Sequence, residues 1–228
     1  MIAAASSSLS RREVLRAAMV GSAALAATAI PLRAEPELRR APRNPQEALD
    51  RLMAGNTRFM EGDADAPRRS LARVRELTSS QSPYAAVLGC ADSRVPVEIL
   101  FDEGFGDLFT VRVAGNVATP EEIASLEYAV GVLGSRLVLV LGHSGCGAVS
   151  AARDGAAVPG QISSLFQHIR PAIPAGSGLP EAVEANVRHQ AEVLRSSSTV
   201  IREALDAGRV AVRGAVYSLE DGRVRLIA

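Results

Sequence analysis

The stretch Arg136 to Ala152, RLVLVLGHSGCGAVSAA, constrains the fold of this chain more than any other. Leu137 to Leu141 is apolar at every position, without the alternation of a strand that keeps one face in water. Such a run belongs to an inner strand of a parallel sheet covered by helices on both faces. A glycine-rich turn and a helix-forming segment follow directly, in the order of a strand–helix unit. The same pattern recurs upstream. YAAVLGC, residues 84–90, is an apolar run of strand length ending at Cys90, and LFTVRVAG, residues 108–115, makes a second strand. Thr119-Pro120-Glu121-Glu122 then marks a helix start, with a capping hydroxyl, proline at the first helical position and acids in the first turn. Ile123, Leu126, Val130 and Leu133 follow on one face, and the helix is predicted to end near Gly134.

Outside this middle region, Pro45 to Gly62 carries Ala48, Leu49, Leu52, Met53 and Phe59 at helical spacing, and a second helical stretch is predicted near Arg69 to Leu77. A long helical region runs from about Pro180 to Ala207 with a break at Ser196 to Ser198. The end of the chain, RVAVRGAVYSLEDGRVRLI, reads as two strands around Asp221-Gly222. The predicted fold is α/β: a mainly parallel central sheet flanked by helices, with an N-terminal helical arm and an added C-terminal antiparallel strand.

Composition narrows the function. The 25 basic side chains are all arginine, which removes the lysine that a Walker-type phosphate loop or a Schiff-base mechanism needs. The formal net charge is zero and no basic stripe interleaves with aromatics, so no nucleic-acid partner is expected. At 228 residues and 47% hydrophobic content the chain has enough apolar material for one core.

Ser10-Arg11-Arg12-Glu13-Val14-Leu15-Arg16 followed by the mild apolar run Ala17 to Ile30 looks like a twin-arginine export signal. That run of about 14 residues falls short of the roughly 20 of a membrane span, so no stable span is expected after signal removal. Residues 1–34 are therefore assigned to the signal and 35–44 to a polar linker, and the expected destination is the periplasm. Cleavage after Ala34 would remove four arginines and one glutamate, taking the formal charge from zero to −3.

Export makes the two cysteines conspicuous, since an oxidising compartment invites them to pair. Their positions suggest another use. Cys90 and the pair His143/Cys146 each fall at the carboxyl end of a predicted strand, where open α/β sheets bind ligands. If those strands are neighbours, two thiolates and an imidazole converge as the donor set of a zinc site, its fourth position open or taken by a nearby carboxylate. Cys146 also lies at a helix start, where backbone N–H groups favour the thiolate. His168 and His189 sit in polar helical surroundings and are expected to be solvated.

Cys90-Ala91-Asp92-Ser93-Arg94, followed about fifty residues later by His143-Ser144-Gly145-Cys146, resembles the paired zinc motifs of the β-class carbonic anhydrases. The resemblance continues through LMAGNTRF, AGNVATPEEIASLEYAVGVLG, ANVRHQAEVLR and RGAVYSLEDGRV, covering nearly everything after the linker, and so gives residues 45–228 as the enzyme domain. It implies one zinc ion per chain on Cys90, His143 and Cys146, with Asp92 as the alternative fourth ligand. It implies reversible hydration of CO2 to bicarbonate, with Asp92 and Arg94 as the catalytic pair: the carboxylate orients the attacking oxygen and the guanidinium keeps it ionised and off the metal. Two thiolates give the metal more charge than imidazoles would, so activity is expected to favour neutral to alkaline pH. A homodimer or higher homo-oligomer is implied, with the apolar face of the Pro45 to Gly62 helix expected to cover a second copy. One departure is the absence of tryptophan, which some members use in a second bicarbonate site; none is expected here. Two other readings stay open at this level: hydrolysis of carbon disulfide or carbonyl sulfide at the same site, and zinc binding without catalysis.

Overall fold

The computed structural model describes residues 41–227. The expected export signal and the linker up to residue 40 lie outside the described residues. Helix α1, Pro45–Glu61, starts at Asn44, whose side chain accepts from Glu47 N, and has proline in its first turn. Helix α2 covers Leu71–Glu76, shorter than expected because the Ser70 side chain accepts from Arg73 N and fixes the start there. The order continues β1 (Ala85–Gly89), α3 (Val97–Leu100), β2 (Leu108–Arg112), α4 (Pro120–Gly131), β3 (Leu137–His143) and α5 (Gly147–Asp154). After the short α6 (Phe166–Ile169) come α7 (Leu179–Ser197), α8 (Thr199–Asp206), β4 (Ala211–Tyr217) and β5 (Val224–Leu226).

The strands form one sheet in the order β2-β1-β3-β4-β5. The first four run parallel, with Ala85 opposite both Leu108 and Leu137, and β5 returns antiparallel on β4, with Ala215 opposite Leu226. Every residue of β1 and β3 is buried, as their unbroken apolarity requires of inner strands. Alternate residues serve opposite faces. Val87, Leu139 and Leu141 pack with Ala48, Leu49 and Leu52 of α1, while Leu88, Val138 and Val140 pack with Leu126 and Val130 of α4 and Val187 and Leu194 of α7.

Two details correct the sequence reading, and one places an expected break more closely. The Thr119 hydroxyl does not cap α4; it donates to the carboxylates of Glu121 and Glu122, and Pro120 alone sets the start. The break in the last helical region falls at Ser198, whose side chain caps α8 by accepting from Ile201 N at 3.0 Å. The apolar face of α1 is not left free for a second copy, since Ala48 and Leu52 are fully buried against their own sheet. Gly55 shows how close that packing is: a Cβ there would stand 1.8 Å from the Phe101 carbonyl oxygen. Asn56 completes the attachment, donating to Leu100 O and Gly222 O and accepting from Val224 N. No helix of the described residues is long and apolar enough to cross a membrane.

Beneath α1 lies a buried ionic cluster. Arg51 donates to both oxygens of Glu103, at 2.7 and 2.6 Å, and reaches Asp107 at 3.2 Å, while Tyr84 donates its hydroxyl to Glu103 at 2.7 Å. The Arg51 guanidinium also stacks 4.2 Å from the centre of the Tyr84 ring. Burial raises the Glu103 carboxyl above its ordinary value even with this guanidinium beside it. Arg68 reaches Asp107 at 2.9 Å and Glu103 at 3.4 Å, but it replaces only part of the bidentate bond from Arg51, and a buried carboxylate that loses such a partner is costly in a low-dielectric interior. Arg51→Ala is therefore expected to lower stability by about 3–5 kcal/mol, read from the urea midpoint; an unchanged midpoint would show that water reaches Glu103 freely.

Candidate metal centre

The strand order reverses between β1 and β3: the chain leaves β1 for β2 on one side, and α4 then carries it across to β3 on the other. Open α/β sheets place their ligand crevice at the carboxyl ends of such strands. Cys90 directly follows β1, His143 is the last residue of β3, and Cys146 is the N-cap of α5. The neighbouring strands thus bring together the three residues that the sequence separates. Their donor atoms lie within 4.8 Å of one another, and all three residues are buried. That spread suits one small ion held by bonds of about 2.0–2.3 Å. Both cysteines are free, so they are not joined as a disulfide.

The imidazole is set up as a ligand. His143 Nδ1 lies 2.9 Å from the Ser144 carbonyl oxygen, to which it can only donate, and this leaves Nε2 with a lone pair. His143 Nε2 is buried and has no hydrogen-bond partner among the described residues. A buried polar atom so orphaned is costly unless something accepts its lone pair, and a cation between the two sulfurs does so. The sulfurs are prepared as well. Gly115 N donates to Cys90 Sγ at 3.3 Å. A hydrogen bond from the Cys146 thiol, helped by that from the Gly115 N–H, brings the Cys90 thiol down to about 4. As the donor in that pair, Cys146 is pushed up, and the N–H groups of Ala148 and Val149 at the start of α5 only partly offset this.

Asp92 stands beside the cluster, its Oδ2 3.8 Å from His143 Nε2. Arg94 holds it with two parallel bonds, Nε to Oδ1 at 2.9 Å and Nη2 to Oδ2 at 2.8 Å, and its backbone N–H adds a third at 2.9 Å. These bonds keep the Asp92 carboxyl well below the usual carboxylate range. Arg112, which the sequence reading did not single out, donates to the carbonyl oxygens of Cys90 and Asp92 and fixes the strand end that carries both. His168 and His189 are partly buried rather than fully solvated, and both lie outside the cluster.

A parallel α/β sheet whose switch point gathers two sulfurs and an imidazole, with an ion-paired carboxylate at their side, defines a strand-end crevice that could hold a thiophilic divalent ion. Known proteins narrow the class. The sequence profile described as Carbonic anhydrase matches residues 85–224. The chain is similar to a carbonic anhydrase of Mycolicibacterium smegmatis, 43% identical over 192 residues that cover 80% of this chain and 93% of that protein. It is similar to carbonic anhydrase 2 of Mycobacterium tuberculosis, 40% identical over the same shares of each chain. Its fold matches a β-carbonic anhydrase of Aspergillus fumigatus at 27% identity and TM-score 0.62, covering 68% of this chain and 79% of that one. The β-carbonic anhydrase of Coccomyxa gives 26% identity and TM-score 0.61, covering 78% and 86%. The chain belongs to the carbonic anhydrase family, in its β class.

Proposed function

We propose that this chain is a zinc enzyme that hydrates CO2 reversibly to bicarbonate and a proton. The observation that carries this reading is the orphaned His143 Nε2, aimed between two free buried sulfurs with an ionised carboxylate alongside. Cys90, His143 and Cys146 would hold the ion, and two thiolates with an imidazole are a zinc donor set. Bound there, zinc lowers the pKa of water it coordinates towards neutrality and so supplies a nucleophile for CO2. Asp92, kept ionised by Arg94, accepts a hydrogen bond only and thereby orients the attacking water towards the substrate. Arg94 restrains the carboxylate and leaves the remaining position beside the three ligands to solvent. Zinc near one ion per chain, together with CO2 hydration in stopped flow, is the expected result; zinc without hydration would overturn the catalytic reading.

We infer further that the chain works as a homo-oligomer, at least a dimer. In place of α1, the surface offers Phe105 and Tyr128, each about half exposed, which line one groove with Val74 and Leu77 beside the edge strand β2. Large exposed aromatics beside an uncovered strand edge favour association. Light scattering at micromolar concentration is expected to give a dimer or larger, and Phe105→Asp to shift it towards monomer; a wild-type monomer would refute this.

The Arg11-Arg12 pair supports a proposal of export by the twin-arginine route to the periplasm. Replacing both by lysine is expected to leave the precursor in the cytoplasm on fractionation, and unchanged export would refute the signal.

A further inference from the structure

The segment ANVRHQAEVLR belongs to α7, and the mechanism above uses none of it. Most inward residues of that helix are apolar: Ala182, Val183, Val187, Ala191 and Leu194. Asn186 and Gln190 interrupt this face, and both are almost completely buried. Two carboxamides in a core are costly unless their bonds are made, and here they are made in a single direction. Gln190 Nε2 donates to His168 O at 2.8 Å and to Asn186 Oδ1 at 3.0 Å, and its Oε1 accepts from Ala118 N at 2.9 Å. Asn186 Nδ2 donates to Gly115 O at 2.9 Å. The N–H of the same Gly115 donates to Cys90 Sγ.

The loop that receives these bonds needs holding. Gly115 has φ +76°, and a Cβ there would stand 2.8 Å from Ile169 Cδ1. Asn116 follows at φ 47°, a left-handed conformation that asparagine accepts better than most residues other than glycine. Gly115, in the left-handed region, has its N–H 3.3 Å from the Cys90 sulfur, and the carboxamide pair of α7 grips the loop at its carbonyl.

We propose that Asn186, backed by Gln190, is a positioning residue for the metal centre, holding the Gly115 carbonyl and, through that residue's backbone, the N–H that donates to the Cys90 sulfur. The proposal rests on the reading of Cys90 as a zinc ligand. An N–H bond to a thiolate draws charge from the sulfur and fixes its direction, and outer partners of this kind typically change metal affinity by about 10–100-fold.

The test uses the full chain loaded with cobalt(II), whose thiolate-to-cobalt absorption in the near ultraviolet reports the sulfur directly, together with zinc affinity by chelator competition. Asn186→Leu keeps the branched shape and removes both the donor to Gly115 O and the acceptor from Gln190. It is expected to move the cobalt band to lower energy and to weaken zinc binding by about 10–100-fold. Leu194→Ala, a core truncation two turns along the same helix, is expected to change neither. If Asn186→Leu does not fold, Gln190→Met decides, with a smaller shift in the same direction expected. A band and affinity left at wild-type values in the folded variant, or moved equally by Leu194→Ala, would overturn the proposal. No thiolate–cobalt band in the wild type would overturn the zinc reading itself, so the two failures are distinguishable.

Discussion

Exchanging Cys146 for serine is expected to remove zinc and CO2 hydration together while the fold survives. The chemical part follows from the donor set. An alcohol does not ionise near neutral pH in a way that replaces a thiolate, so a site with three protein ligands would be left with two, Cys90 and His143. Loss of outer-shell partners alone costs about 10–100-fold in metal affinity, and loss of a ligand must exceed that; zinc should fall from about one ion per chain to near none. The structural part is equally specific. Cys146 is the N-cap of α5 and forms no side-chain cap bond, whereas serine is among the preferred residues at that position. Helix α5 is therefore expected to be as stable in the variant, or more so. Circular dichroism and the thermal midpoint of the zinc-free proteins should agree between wild type and variant, while metal analysis and stopped flow should not. Retention of zinc at one ion per chain would remove Cys146 from the ligand set.

The same residues show how far the sequence could be read. The apolar runs placed β1 and β3 correctly because strands buried on both faces have an unmistakable pattern. Legibility of the ligand set was conditional: Cys90 and His143 converge only because β1 and β3 are neighbours, which the sequence permits and the strand order establishes. The groups that prepare those ligands were invisible for a physical reason. The Ser144 carbonyl that selects the His143 tautomer and the Gly115 N–H on Cys90 are backbone atoms, which no side-chain pattern marks. Arg51 was hidden differently. On a helix it reads as one more solvated arginine, and only its partner Glu103, far along the chain, makes it a core residue. The reading of α1 failed on the same ground, since an amphipathic face says that something covers it and not what.

Arg94→Ala and Asp92→Asn are expected to lose activity for different reasons, and the difference isolates what the pair does. In the wild type two side-chain bonds tie Asp92 to Arg94, yet Asp92 Oδ2 is already 3.8 Å from His143 Nε2. A carboxylate that close to the ligand set is one rotation from completing it, and zinc with four protein ligands is a closed, structural site. With alanine at position 94, Asp92 keeps its charge and loses both side-chain bonds, retaining only the one from the backbone N–H. It is expected to move onto the metal, leaving zinc at one ion per chain and cutting hydration by about 10–100-fold. With asparagine at 92, the anionic donor is gone and Arg94 has no partner; zinc should again be retained, and hydration should fall by about 10²-fold through lost orientation of the nucleophile. Acid pH separates the two further. The bonds from Arg94 depress the Asp92 carboxyl, so the ion pair is present above the ordinary aspartate value of about 3.9 and is lost only as pH falls through the lower folded value. Protonation of Asp92 therefore has no part in any loss of wild-type activity between neutral pH and about pH 5. If activity falls in that range, the carboxylate moving from Arg94 to the metal is the expected cause, and Asp92→Asn should flatten the fall while Arg94→Ala should extend inactivity to alkaline pH. Crystals of the wild type at acid and alkaline pH decide the matter: Asp92 on Arg94 at both would refute the movement.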